Sequence, residues 1–378
     1  MLDTVALTLS QDKFVVFEHE QFSPSAGLVY NPDRRGVIRC YRNPTSKELK
    51  QGLYVPRLTL TGRPRNTTLR IELSVPKFLF GNNFDELTEN DFADVVKKLE
   101  NTLKDIGVRT YSGAIESAQV SLIHYGKNIV FSDYTTPATY IREVNNSDIS
   151  QQLDFNQTDF RNGGHSIKFR ANSFEFALYD KVKDLQKAKI SNKRSEEKEN
   201  EVQLSLLDFI EQKHKAYVAP FEVLRMEARL NNRKRIRDTF IKIGYPDIDL
   251  TFQNLFKTEI ARQVNLFFLD TIIENHIYLA DSKLTNAQYF SELHRVYPEY
   301  SLSKKNQLLG ARVLIKELGI KGYRQLLSVN GASAWYRHKK LLKASELPRN
   351  RGDPIGRLIR EVTAFTPIKL HDYPQFQL

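Results

Sequence analysis

A chain of 378 residues is too long for one ordinary hydrophobic core, so two domains are expected. Hydrophobic residues at 40%, charged residues at 27% and only 17 Gly and 14 Pro describe a globular composition and exclude general disorder. The single cysteine, Cys40, excludes an intramolecular disulfide and a thiolate metal cage, and the formal charge of +11 points to a polyanion as partner.

The chain opens on MLDTVALTLSQDKF, which alternates like a strand and lacks the basic start and apolar block of a signal peptide. No run approaches the roughly 20 apolar residues that cross a bilayer. A reducing cytoplasm, with no membrane attachment, is the expected setting. VIRCYRNP and LTLTGRPRNTTLRIELSVPKFLF read as strands, the second as a pair joined by a turn from Gly62 to Asn66. TENDFADVVKKLENTLKDIGV is an amphipathic helix whose Phe92, Val95, Val96, Leu99, Leu103 and Ile106 share a face. Thr88 and Asp91 have the spacing of a capping box. AQVSLIHYGKNIVF and GHSIKFRANSFEFALYD supply further strands.

The charged run KDLQKAKISNKRSEEKENEVQ is either an exposed helix continuing from Tyr179 or a mobile insertion. FEVLRMEARLNNRKRIRD is a last strand, with Val223, Arg225, Glu227 and Arg229 on one side and Leu224, Met226, Ala228 and Leu230 facing the core. Beyond about residue 245 the pattern is helical, with a long helix in LFKTEIARQVNLFFLDTIIENHIYLA and a turn at Gly319 between two later ones. Strands gathered around one or two helices argue an α+β fold with an antiparallel sheet over residues 1–245, then a helical domain over 246–378. Residues 301–378 carry 15 Lys and Arg against 5 Asp and Glu, so nearly all the excess positive charge sits in that tail. Such concentration favours nucleic acid over a merely solubilising surface.

There is no Walker loop, no glycine fingerprint after a strand, and no His-X-His or His-X-X-X-His pair among the eight histidines. Four strands instead carry a polar residue in apolar surroundings: Glu72, His124, Tyr179 with Lys181, and Glu227. Buried carboxylates need a cation or a metal. Two carboxylates and an imidazole on one sheet face could hold Mg²⁺ or Mn²⁺ and polarise a phosphodiester. A tyrosine beside it could attack phosphorus and keep the DNA end as a phosphotyrosine. Lys181 would share the strand face of Tyr179 and lend it a cation, whereas Asp180 would face the other way.

At these segments the chain resembles the filamentous-phage replication initiators (the gene II protein family), which are related to the Rep-trans plasmid initiators. LRIELSVPKFLFGNNFDEL, VSLIHYGKNI, FEFALYDKVKDL and VLRMEARL occur in the family's order, and SKKNQLLGARVLIKELGIKGYRQLL and SAWYRHKKLLKASELP match its tail. The resemblance covers about residues 55–350. It implies a nuclease-type domain that nicks and rejoins one strand at a rolling-circle origin, with Tyr179 as nucleophile and Glu72 and Glu227 as carboxylates of the sheet. His124 departs from the relatives, many of which carry an aspartate there. A second tyrosine, Tyr125 or Tyr134, is a candidate by proximity in sequence alone. In the tail, Arg312, Lys316, Arg324, Arg337, Lys339 and Lys340 would hold origin phosphates, and Trp335 would stack on an unpaired base. Strand displacement would need a host helicase and polymerase. The rival readings are an origin-binding or regulatory DNA-binding protein without catalysis, and an RNA binder that uses the aromatic sheet as a platform.

Overall fold

The computed structural model describes residues 1–30, 36–63, 66–145, 147, 157–161, 164–190, 221–277, 284–329, 331–348 and 353–373. In chain order its strands are β1 (Leu2–Ser10), β2 (Val15–Val16), β3 (Ile38–Arg42), β4 (Arg57–Arg63), β5 (Asn66–Ser74), β6 (Val108–Arg109), β7 (Gln119–Phe131), β8 (Gln157–Arg161), β9 (Ser166–Ala171), β10 (Phe174–Asp180) and β11 (Glu222–Leu230). Nine of them form one sheet in the order β3-β4-β5-β1-β7-β11-β10-β9-β8. Every neighbouring pair is antiparallel. The α+β architecture with an antiparallel sheet is therefore present. The N-terminal strand lies near the centre of the sheet, paired with β5 on one side and β7 on the other.

Alternation assigns the two faces. Leu224, Met226, Ala228 and Leu230 of β11 are fully buried on the back face, where Phe174 and Phe176 of β10 pack on Phe268 with ring centroids 5.5 and 5.4 Å apart. Helices Phe92–Asp105 and Thr258–Glu274 bury their apolar stripes in this same core. The capping box of Thr88 and Asp91 forms as expected. On the front face, the Lys181–Ile190 helix sets Val182 and Leu185 against Phe84, Phe221 and Val223. The rest of the charged run, from residue 191, lies outside the described residues.

Two expectations are corrected. VPKFLF does not extend a strand but forms the helix Val75–Phe80, because Pro76 cannot donate to a sheet ladder and Gly81, at φ 78°, closes the turn. A domain break after residue 245 would cut through the first core, since Phe252, Leu255, Ile260, Val264, Phe268 and Ile272 all belong to it. A second core begins at Ile277 and runs to Leu347, and the Pro354–Ala364 helix then returns to the first. Within the second core the Leu302–Ser328 helix breaks at Gly319 (φ 70°, ψ 168°), the turn expected there.

The returning C-terminal segment is tied to a buried ion pair. Lys127 of β7 donates to Glu86 at 2.8 Å with both side chains almost wholly buried, and the same carboxylate accepts the N–H groups of Asn128 and Ile368. Burial opposes the charge of Glu86, but Lys127, the amino terminus and the Asn128 N–H pull its pKa down to about 2. A carboxylate depressed in the fold adds stability above its unfolded value near 4.5 and loses it as pH falls towards 2. Glu86→Gln leaves Lys127 buried without its counter-charge, and a loss of about 3–5 kcal/mol is expected. The variant should also show a flatter fall in stability between pH 4.5 and 2 than the parent. Urea unfolding across that range checks both, and parallel curves would refute the pairing.

Candidate active site

A cleft of about 630 Å³ opens over the front face of the sheet. Glu72, His124, Tyr179, Lys181 and Glu227, drawn from four strands and the start of one helix, all line it. Strand pairing accounts for this. Arg229 lies opposite His124, Glu227 opposite Gly126, and Tyr179 opposite Arg225, so alternate residues of β7, β11 and β10 project to one side.

The sequence reading missed Asp3. Between Leu2 and Thr4 the register of β1 slips: Leu2 faces Tyr125 and Thr4 faces His124, so two steps of β1 span one of β7. Such a bulge re-aims a side chain. Asp3 has the parity of the core residues Val5, Leu7 and Leu9, yet it lines the cleft beside Thr4. Ligand atoms of Asp3, His124 and Glu227 lie within 4.8 Å of one another, close enough to serve one ion. Glu72 is set apart. It lies on β5, one strand beyond β1, and its carboxylate pairs with Arg70 at 2.8 Å.

Two guanidinium groups hold these carboxylates. Arg229 donates to Glu227 at 2.6 Å and to Glu175 at 2.7 Å. Arg225, 3% exposed, reaches from β11 across β7 to Asp3 at 2.9 Å and donates to Asn128 at 3.0 Å. It can do so because position 126 is glycine: a Cβ there would stand 2.4 Å from the guanidinium. Burial opposes the charge of Glu227, but Arg229 and Arg225 keep its pKa well below the carboxylate range. Burial lowers the pKa of His124 against the pull of Glu227, leaving a neutral imidazole at pH 7. Its Nε2 meets Asn231 Oδ1 at 3.2 Å and its Nδ1 faces Glu227 Oε1 at 3.8 Å. Nδ1 is thus the nitrogen turned towards the carboxylate. Two carboxylates and one neutral imidazole suit Mn²⁺ or a similar divalent ion.

Tyr179, next to last in β10, has its hydroxyl 3.5 Å from Glu227 Oε2. Burial, reinforced by that carboxylate, raises its pKa well above 10. Asp180 turns away and caps the following helix by accepting the Lys183 N–H at 3.0 Å. Lys181 was expected to act as a cation, but burial, reinforced by Arg225, opposes its charge and drives its pKa well below 10.5. Its Nζ is buried without a hydrogen-bond partner, 5.1 Å from the Phe84 ring centroid.

Neither second tyrosine joins the cleft. Tyr125 is buried on the back face and donates to the Leu255 carbonyl at 2.9 Å, and Tyr134 is 83% exposed outside the lining. Two of the expected DNA contacts are core residues. Arg312, 0% exposed, donates to Leu284 O and Asn286 Oδ1 and stacks over Tyr289, while Trp335, 2% exposed, packs edge-on against Tyr323. Lys316, Arg337 and Lys340 are exposed, Arg324 and Lys339 partly so, and Lys339 also donates to Asn275. Comparison of the chain with protein-family models, curated proteins and solved structures found no match.

Gly126→Ala should push Arg225 off Asp3 and cost about 1–3 kcal/mol in urea unfolding, as overpacking does. An unchanged midpoint would contradict the close approach. Lys181→Met should raise stability instead. A lysine whose pKa is lowered in the fold weakens the fold most at low and neutral pH, and the penalty fades as pH rises towards 10.5. The stabilisation of Lys181→Met over the parent should therefore shrink between pH 7 and pH 10; a gain that grows with pH would refute the lowered pKa.

Proposed function

We propose that this chain is a metal-dependent DNA nicking and joining enzyme, a rolling-circle replication initiator of the kind it resembles, that works through a 5′-phosphotyrosine. The observation that carries the reading is the meeting of Tyr179 with Asp3, His124 and Glu227 in one cleft whose walls also bear Lys168, Arg170 and Arg229. The resemblance supplies the choice of DNA and of an origin. Asp3, His124 and Glu227 are the residues to hold Mg²⁺ or Mn²⁺, which would polarise a phosphodiester oxygen and supply positive charge near the phenol.

Tyr179 Oη attacks phosphorus, the P–O3′ bond breaks, and the phosphate passes to the tyrosine as a 5′-phosphodiester. The bond energy is kept for rejoining, when a 3′-hydroxyl attacks the phosphotyrosine. Lys181, two residues from Tyr179 and with its charge opposed by burial, is the acceptor for the phenolic proton; the departing 3′-oxygen takes a proton from water. Arg229, fixed between Glu227 and Glu175, presents positive charge to the phosphate. Lys316, Arg324, Arg337, Lys339 and Lys340 hold flanking phosphates in a salt-dependent, sequence-independent way. A host helicase and polymerase in the bacterial cytoplasm would complete replication.

Single-stranded oligonucleotides from the element's own replication origin, incubated with the chain and Mn²⁺, should give an adduct that survives a denaturing gel and maps to Tyr179 by peptide mass spectrometry. Tyr179→Phe and EDTA should each abolish it, and Asp3→Asn should lower its rate at least ~100-fold, the effect of losing a group that stabilises the transition state. An adduct on another tyrosine would overturn the assignment of Tyr179. Salt-sensitive binding without any adduct would overturn catalysis and leave a DNA-binding protein.

A further inference from the structure

The cleft extends well past the reacting groups, and its two ends differ in chemistry. Its lining runs across the strands in the order Arg57 on β4, Glu72 on β5, Asp3 on β1, His124 on β7, Glu227 on β11, Tyr179 on β10 and Lys168 on β9. Six strand spacings make this path about 29 Å long, enough for several nucleotides of one strand. At the β9 end, Lys168, Arg170 and Arg229 all converge on Glu175, at 3.4, 2.8 and 2.7 Å. Arg229 is shared with Glu227, so three cations meet two carboxylates along this stretch. At the β4 end Pro44, Leu49, Tyr54 and Val55 form an apolar wall beside Arg57 and Lys77. The ring of Tyr54 is fixed there, because its phenol oxygen accepts the Ser74 N–H at 2.7 Å. The β4 end thus offers a base an apolar wall and a fixed ring, and the β9 end gathers three cations.

In-line displacement then sets a direction. The attacking and leaving oxygens stand on opposite sides of phosphorus. Tyr179 approaches from β10, beyond Glu227, and the ligand residues Asp3 and His124 continue towards β1 and β5. The leaving 3′-oxygen therefore points away from β10, towards β5 and β4. Resting on the nicking reading above, we propose that the single strand crosses the sheet with fixed polarity. The nucleotide on the 5′ side of the nick lodges its base and sugar against Pro44, Leu49, Tyr54 and Val55. The strand on the 3′ side, whose 5′-phosphate stays on Tyr179, leaves along Lys168 and Arg170. The upstream end, freed at nicking, is thus held for rejoining by apolar contact, and the downstream end by charge as well as by the covalent bond.

The test uses an oligonucleotide on which the parent chain forms its Tyr179 adduct, bound to the uncleaving Tyr179→Phe variant in Mn²⁺ and followed by fluorescence anisotropy. An abasic residue immediately upstream of the nick should weaken binding about tenfold, the loss of one base stacked on an aromatic wall, and an abasic residue immediately downstream should change little. Methylphosphonates should show the opposite bias, weakening binding more at the two phosphates downstream than at those upstream. The double variant Tyr179→Phe/Leu49→Trp, which fills the apolar end, should no longer distinguish the upstream abasic strand. Likewise, Tyr179→Phe/Lys168→Ala should no longer distinguish the downstream methylphosphonates. A reversed pattern would overturn the polarity, and a flat scan would overturn the path, while in both the adduct itself stands. Failure to find any oligonucleotide that forms the adduct would overturn the nicking reading and this assignment together.

Discussion

The centre of this molecule depends on one buried guanidinium. Arg225 starts on β11, crosses β7 where Gly126 has no side chain, and ends on Asp3 of β1. Three adjacent central strands are joined by a single charged contact, out of water, where an unpaired carboxylate would be costly. The bulge that turns Asp3 to the front, the glycine opposite Glu227 and the amide of Asn128 that receives the second guanidinium nitrogen are all conditions of that contact. Arg229 repeats the device one turn of the pleat away for Glu227. Each carboxylate is paired with an arginine, and Glu227 keeps its other oxygen 3.8 Å from Nδ1 of His124.

This charge arrangement explains the residues around Tyr179. A carboxylate held ionised 3.5 Å from the phenol makes the phenolate harder to form. The tyrosine then needs a positive charge that the neighbouring lysine is poorly placed to provide, since burial opposes the charge of that lysine. Its neighbours divide the work by geometry. Asp180 ends the strand and caps the helix, and Lys181 opens that helix beneath the cleft. Strand end, cap and buried amine are three consecutive residues because a sheet hands over to a helix at that point.

Much of this was legible in the sequence, and what was not has identifiable causes. Period-two alternation identified β11 and its core face, and brought Glu72, His124, Tyr179 and Glu227 to one side, because side chains of paired strands share a face whatever their separation in the chain. Asp3 was hidden because a bulge breaks that parity. The available signal was an acid at a core-parity position before Val5, Leu7 and Leu9, which demands a partner or a change of face. Counting charge in the tail also misassigned Arg312 and Trp335. Composition cannot separate a guanidinium that ties a loop carbonyl inside a helical core from one that faces solvent. The break between the cores was placed too early for a related reason: the 258–274 helix has helical periodicity, but its apolar face packs on the sheet that precedes it.

The most direct measurement is anomalous diffraction at the manganese edge from crystals of the full chain equilibrated with Mn²⁺. The account predicts one strong peak in the cleft, bounded by carboxylate oxygens of Asp3 and Glu227 and by Nδ1 of His124, and lost in Asp3→Asn. A peak centred on Glu72, or a cleft without manganese at saturating concentration, would contradict it.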